Sequence, residues 1–233
     1  MNIHSSGRKI YITQYDVLSV VCFIRLIIHY LTIYQPSIIT KMLSNLNNKT
    51  IVLASGSPRR QQLLKDMGID FIIELRSIDE SFPESLPAHE VAAYLSQQKS
   101  FAFKDKELNN KIVITSDTTV CLGDEVLNKP ASIEEAKEML EKLSDNEHQV
   151  VTGVTIRTQG KEKTFSTISN VKFKKLDTEE IDYYVNNFKP LDKAGAYGIQ
   201  EWIGFIGIER LEGSYFNVMG LPTQKLWEAL KEF

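Results

Sequence analysis

At 233 residues, with 42% apolar and 24% charged side chains, the chain has the make-up of a soluble globular protein whose core is large enough to need no covalent staples. Its formal net charge of -3 argues against a dominant nucleic-acid-binding face, although a local basic pocket remains compatible with it. Two cysteines, Cys22 and Cys121, supply neither a disulfide framework nor a thiolate metal knuckle and fit a reducing cytoplasm.

Residues 1–45 read as an extension, and residues 46–233 as the folded domain. Val17 to Ile28 is apolar apart from Ser19 and Arg25, which is shorter than a membrane span and carries a charge. Tyr34-Gln35-Pro36 is not the small-residue cleavage site of a signal peptide. The stretch is therefore read as a packed or adventitious extension. Met42, just ahead of the polar Leu43-Ser44-Asn45-Leu46, is an alternative translation start.

Ile51 to Ala54 predicts a short buried strand, Ser57 to Met67 a helix closed by Gly68, and Ile69 to Leu75 a second strand, together an α/β unit. Ser57 suits the helix cap and Pro58 its first position. Arg59 and Arg60 then fall in the first turn, a poor place for cations on dipole grounds unless an anion sits in front of the free N–H groups. Ser55, Gly56 and Ser57 add small donors and close backbone approach. This is a phosphate-binding corner.

Asp79 reads as a turn solubiliser. Glu80 reads as a residue near bound metal or substrate, because its segment leaves the sheet at the end where the phosphate corner lies. Pro87 opens a helix carrying Val91, Tyr94 and Leu95 and running to Ala102; on pattern alone its Lys99 is a solvated-face lysine. Lys111 to Thr115 predicts a strand that delivers Asp117 at its C-terminal end, where open α/β sheets place ligands and where a buried carboxylate needs a partner. Asp117 is the first choice for holding a divalent cation, activating water, or both. Lys129, extended by Pro130 after it, is placed to neutralise a triphosphate as a point cation. Ser132 and Glu135 have capping-box spacing, with Ala136, Met139, Leu140 and Leu143 as the buried stripe.

Gln149 to Arg157 and Thr164 to Phe173 predict a hairpin around Gln159-Gly160. Thr152 and His148 approach the sheet from its opposite end or from a crossing strand. Four histidines without a His-x-x-x-His pair argue against a histidine-built zinc site. Asp177 or Thr178 caps a helix with Ile181, Tyr184, Val185 and Phe188. In Asp192 to Gln200, Asp192 suits a metal or a pairing with Lys193, and Gln200 suits a phosphate or a water; a structural turn explains the glycines equally well. Glu201 is the weaker candidate because nothing in the sequence fixes its direction. After the apolar run Ile203 to Ile208, Glu209 to Pro222 reads as a long loop at a site rim, and Pro222 opens a last helix packing through Leu226, Trp227 and Leu230.

The blocks Leu53–Arg60, Ser116–Val120, Gly123–Pro130, His148–Val154, Asp192–Gln200 and Gly213–Pro222, in this order and separation, resemble the Maf family of nucleoside triphosphate pyrophosphatases from about Ile51 to Leu230. The resemblance implies an α/β fold with a curved mixed β-sheet flanked by helices, two lobes enclosing a nucleotide cleft. It implies hydrolysis between the α and β phosphorus atoms, releasing the nucleoside monophosphate and pyrophosphate. By motif position Arg59 and Arg60 bind phosphate, Asp117 is the catalytic and metal-binding carboxylate, and Lys129 and Gln200 contact phosphate or transition state. Ser55 and Ser57 complete the anion corner, while Glu80 and Lys99 face the cleft. The family also implies magnesium, with manganese as the alternative, and a homodimer without membrane or stable nucleic-acid partners.

The Ala196-Tyr197-Gly198-Ile199-Gln200 ending is similar to the branch acting on dTTP and UTP, where a small pyrimidine pocket excludes purines by volume. Two departures stand out. Ser116 replaces the usual alanine before the Asp-Thr pair, and Asn170 stands where many relatives carry Glu. The competing readings are a pyrophosphatase for modified or noncanonical nucleotides, and a nucleotide-binding regulator of cell division with little turnover. A P-loop kinase or GTPase is disfavoured, since no Gly-x-x-x-x-Gly-Lys-Ser/Thr loop is present.

A chain begun at Met42 is expected to remain soluble and active, as sedimentation and a turnover assay would check; insolubility would make residues 1–41 part of the fold.

Overall fold

The chain enters its sheet through β1 (Thr50–Leu53), whose Ile51, Val52 and Leu53 are all buried, as expected of a strand with parallel neighbours on both sides. The computed structural model describes residues 42–46 and 48–233, and the readings made on residues 1–41 lie outside them. Residues 45–233 form one unit. Helix α1 (Pro58–Asp66) follows β1, with Pro58 in its first turn and Gly68 left-handed at φ +71° just beyond its end. Ser57 occupies the cap position but its hydroxyl makes no cap bond; instead its N–H donates to Ser55 Oγ at 3.3 Å. β2 keeps only Ile72–Ile73 of the expected Ile69–Leu75, because it is an exposed edge strand with β1 as its one partner.

Helix α2 (Ala88–Phe101) leads to β3, which runs from Lys111 to Leu122 rather than stopping at Thr115. Asp117 is thus not at the strand's end, a correction with a simple cause. β1 accompanies β3 only to the Leu53–Ile114 pair, while β5 (Glu147–Thr158) pairs antiparallel with β3 from Val113 to Cys121 and sets Gly153 opposite Asp117. Asp117 therefore lies past the end of β1 without lying past the end of β3.

β4 (Glu125–Leu127) folds back on β3, β6 (Lys161–Phe173) pairs with β5 around Gln159-Gly160, and β7 (Ile208–Glu212) closes the order β2-β1-β3-β5-β6-β7. The sheet is mixed, parallel from β2 to β3 and antiparallel beyond. His148 and Thr152 lie on β5 itself, antiparallel to β3. The alternation of strand side chains puts Cys121 and Val151 against Ala92 of α2, and Val120 and Val150 on the opposite face. There they meet α3 (Ile133–Leu143) and α4 (Thr178–Phe188) through Leu140, Leu143, Ile181 and Tyr184. Ser132 caps α3 by accepting the Glu135 N–H at 3.1 Å, and the Glu135 carboxylate reaches back to the Ala131 N–H at 2.6 Å. Helices thus flank both faces of a mixed sheet. No helix among the described residues is long and apolar enough to cross a membrane.

The stretch expected to be a loop from Glu209 to Pro222 contains most of β7 and a short helix, α6 (Tyr215–Met219), preceded by α5 (Trp202–Gly207). β7 is an edge strand with little burial, so it carries no apolar alternation to read. In α7 (Thr223–Leu230) the packing face is Leu226, Ala229 and Leu230; Trp227 is only half-buried, with the Lys231 ammonium 6.0 Å from its ring centre.

One contact registers α2 on the sheet. A Cβ on Gly153 would stand 2.2 Å from the Ala92 carbonyl oxygen, so helix and strand backbones touch there. One turn on, Ser96 Oγ lies 3.0 Å from Thr155 Oγ1, and its carbonyl accepts the Thr115 hydroxyl at 2.6 Å. Lys99, seven residues from Ala92, is on the same face. Gly153→Ala is expected to lower the unfolding free energy by about 3 kcal/mol, because backbone must shift to admit the methyl group; urea denaturation checks this, and a loss below about 0.5 kcal/mol would contradict it.

Candidate active site

Beyond Ile114, where β3 has lost β1, a cavity of about 500 Å³ opens, lined by all nine residues singled out in the sequence: Ser55, Ser57, Arg59, Arg60, Glu80, Lys99, Asp117, Lys129 and Gln200. Helix α1 points its N-terminal turn into it. One wall is cationic. Arg60 donates through Nε to the Gly220 carbonyl at 2.8 Å, through Nη2 to Thr118 Oγ1 at 2.9 Å and through Nη1 to Ser55 Oγ at 3.2 Å. The Thr118 hydroxyl lies 3.0 Å from Thr152 Oγ1, which donates to the Asn217 carbonyl at 2.9 Å, so the guanidinium heads a hydrogen-bonded chain. Burial draws its pKa down, opposed by Asp117 and Glu80, and arginine stays charged regardless.

The facing wall is acidic and already holds a cation. Lys99 Nζ lies 2.5 Å from Asp117 Oδ1 and 3.1 Å from Glu80 Oε1, so the lysine is a cleft residue rather than a solvated one. Asp117 is only 8% exposed. Partial burial pushes the Glu80 carboxyl up, but Lys99, helped by Lys129 and Arg60, holds it below the usual carboxylate range. Asp79 accepts the Ser81 N–H and hydroxyl, both at 3.0 Å, and is the turn residue expected.

At the rim, Arg59 Nη1 donates to Asp192 Oδ2 at 2.9 Å. The other Asp192 oxygen accepts from Lys193 Nζ at 2.6 Å, and Lys193 also reaches Glu201 Oε1 at 3.1 Å. Asp192 is thus an ion-pair carboxylate; partial burial would raise its pKa, yet Lys193 and Arg59 hold it below its ordinary value. Lys129 is exposed at the cavity edge and makes no ion pair among the described residues. Sequence reasoning missed Thr118, the Gly220 carbonyl and the double engagement of Lys193. The only available signal was a charged pair opening an otherwise apolar Ala-Gly-Ala stretch. The extra Ser116 hydroxyl donates to the Gly220 carbonyl at 3.3 Å and does not engage Asp117. Asn170 pairs with Gln149 and Glu212 in the sheet and does not line the cavity.

Among the described residues no group of three or more His, Cys, Asp or Glu side chains could hold a metal ion unaided. Asp117 and Glu80 nonetheless fit a magnesium-like ion, which commonly takes one or two carboxylates and completes its shell with substrate phosphates and water. The Lys99 ammonium between them marks where positive charge is favoured.

Residues 50–233 match the family profile described as Maf-like protein. The chain belongs to the Maf family. The dTTP/UTP pyrophosphatase of Parabacteroides distasonis is 52% identical over 193 residues, covering 82% of this chain and the full length of that relative. Those of Cytophaga hutchinsonii and Phocaeicola vulgatus are 49% and 47% identical, each covering 82% of this chain and 87% and 100% of the relative. Every residue lining the cavity falls within the Maf match, whereas residues 1–49 lie outside it.

Behind the cavity, His148 is fully buried, stacked on Phe173 and 2.7 Å from the Tyr197 hydroxyl through Nε2. Burial lowers its pKa from 6.5 to about 4. The folded state therefore stays neutral there while the unfolded chain takes up a proton near pH 6.5, so stability falls as pH falls through this window. Relative to pH 7, this Maf protein is expected to lose about 2–3 kcal/mol at pH 4.5 through His148. A His148→Gln variant loses correspondingly less over the same range; equal losses in pH-dependent unfolding would contradict the assignment.

Proposed function

We propose that this Maf protein hydrolyses dTTP and UTP between the α and β phosphorus atoms, releasing the monophosphate and pyrophosphate. The observation that carries the reading is the opposition across one cavity of a preoriented cationic wall and the Asp117–Lys99–Glu80 cluster. The names of the relatives, dTTP/UTP pyrophosphatases all, support the substrate choice.

In this reading the N–H groups of the first turn of α1, with Arg59 and Arg60, bind the polyphosphate; guanidiniums suit this because their planar forks match phosphate oxygens. Arg60 needs little reorganisation, being held by Gly220 and Thr118, and Arg59, held by Asp192 through Nη1 alone, offers its remaining N–H groups to phosphate. Asp117 Oδ1 is engaged by Lys99, and Oδ2 accepts a proton from the attacking water. Water adds to the α phosphorus and the bond to the bridging oxygen breaks. Pyrophosphate leaves with its charge opposed by the arginines and by Lys129, while Gln200 orients water or phosphate. A magnesium or manganese ion held by Asp117 and Glu80 would offset phosphate charge and favour ionisation of water. Among the described residues no Ser, Cys or His constellation points to a covalent intermediate. A cytoplasmic location, supported by the free thiol of Cys121, and a homodimer, supported by the family resemblance, belong to the same reading.

Product release from dTTP, UTP, CTP, GTP, ATP and modified nucleotides, each with Mg²⁺ and with EDTA, tests the proposal. The expected outcome is metal-dependent conversion of dTTP and UTP to monophosphate plus pyrophosphate. Nucleotide binding without turnover would favour a regulator, and preference for modified nucleotides a housekeeping role. Asp117→Asn is expected to lower kcat by roughly 10³-fold while the protein still melts cooperatively; near-normal pyrophosphate release would remove Asp117 from its role.

A further inference from the structure

Glu201 has a direction that its sequence context does not reveal. Its Oε2 accepts a hydrogen bond from the hydroxyl of Tyr184, a fully buried residue of α4, and its Oε1 lies 3.1 Å from Lys193 Nζ. The Tyr184 oxygen also accepts the Gly198 N–H at 3.1 Å, while the Glu201 N–H donates to the Gly198 carbonyl at 3.0 Å. Both ends of the turn carrying Gln200 are therefore fastened to one phenol. A Cβ on Gly198 would stand 2.8 Å from the Glu201 carboxyl carbon, so glycine is what lets the carboxylate fold back this closely. Burial, with Glu201 adding to it, pushes the Tyr184 pKa up, and the hydroxyl remains a donor.

The other arm runs to the cavity. Lys193 is only 9% exposed in its side chain, so it needs its carboxylates. It passes the restraint from Glu201 to Asp192, and Asp192 passes it to Arg59. We propose that Glu201, braced by Tyr184, is a positioning residue for polyphosphate: through Lys193 and Asp192 it holds Arg59, and through the Gly198–Glu201 turn it holds Gln200. This rests on the anion-binding reading of the cavity, not on which nucleotide is turned over. Glu201 does not line the cavity and acts through these partners.

The test is pyrophosphate binding to the full chain by titration calorimetry, alongside thermal melting and dTTP turnover, for wild type, Glu201→Gln, Tyr184→Phe and the double variant. Coulomb's law alone predicts that deleting the Glu201 charge tightens binding of an anion. Positioning predicts the reverse: each single variant weakens pyrophosphate about fivefold, and the double variant weakens it no further than the larger single, because both cut the same chain. Tyr184→Phe changes no charge and keeps the buried ring, so it guards against a purely electrostatic or folding effect. Unchanged or tighter binding in Glu201→Gln overturns the proposal, as does multiplicative weakening in the double variant. Wild type that binds pyrophosphate without hydrolysing dTTP or UTP would overturn the proposed activity and leave this test standing. No binding by wild type would overturn both.

Discussion

A strand that outlasts its neighbour leaves backbone and side chains facing open space on one side, and this is the constraint from which the cavity follows. β3 loses β1 after Ile114 and, until β4 joins it at Val120, is carried on by β5 alone, so Ser116, Asp117 and Thr118 lie in a continuous strand yet border a cleft. The strand supplies rigidity, and the missing partner supplies room. α1 starts where β1 ends, which brings its first turn and the Arg59–Arg60 pair to the same opening. Helix N-terminus and carboxylate are thus both carried on regular elements rather than on loops.

The site's charges are largely matched before any ligand arrives. Lys99 answers Asp117 and Glu80, Asp192 answers Arg59 and Lys193, and Arg60 is satisfied by neutral acceptors. In the proposed reading a polyphosphate is then an added partner for both arginines, and neither gives up the contact that orients it. The two arginines are adjacent in sequence but differ in kind. Arg60 is preorganised by oxygen atoms that carry no net charge, whereas Arg59 is held by a carboxylate.

Much of this was legible in the sequence, for local reasons. The α1 cap region, the Gly68 ending, the Gln159-Gly160 hairpin and the α3 stripe are written in short-range chemistry, and all nine candidate site residues converge on one cavity. What escaped depends on distant partners. The length of β3 is set by pairing with β5, and Lys99, placed at the cleft by resemblance, reads on pattern alone as a surface lysine until Gly153 is seen to admit the Ala92 backbone. Glu201 lacks a direction until Tyr184, seventeen positions earlier, provides one. Edge strands such as β7 hide for the opposite reason, since little burial leaves little pattern.

The Lys99 ammonium has one further implication. A covalently attached cation already balances the carboxylate most deeply placed in the cleft, so Asp117 is not left as an unpaired buried charge. On the proposed reading an arriving ion would share Asp117 and Glu80 with a tethered ammonium, so its hold would be set by competition inside the cleft and not by the emptiness of an acidic hole.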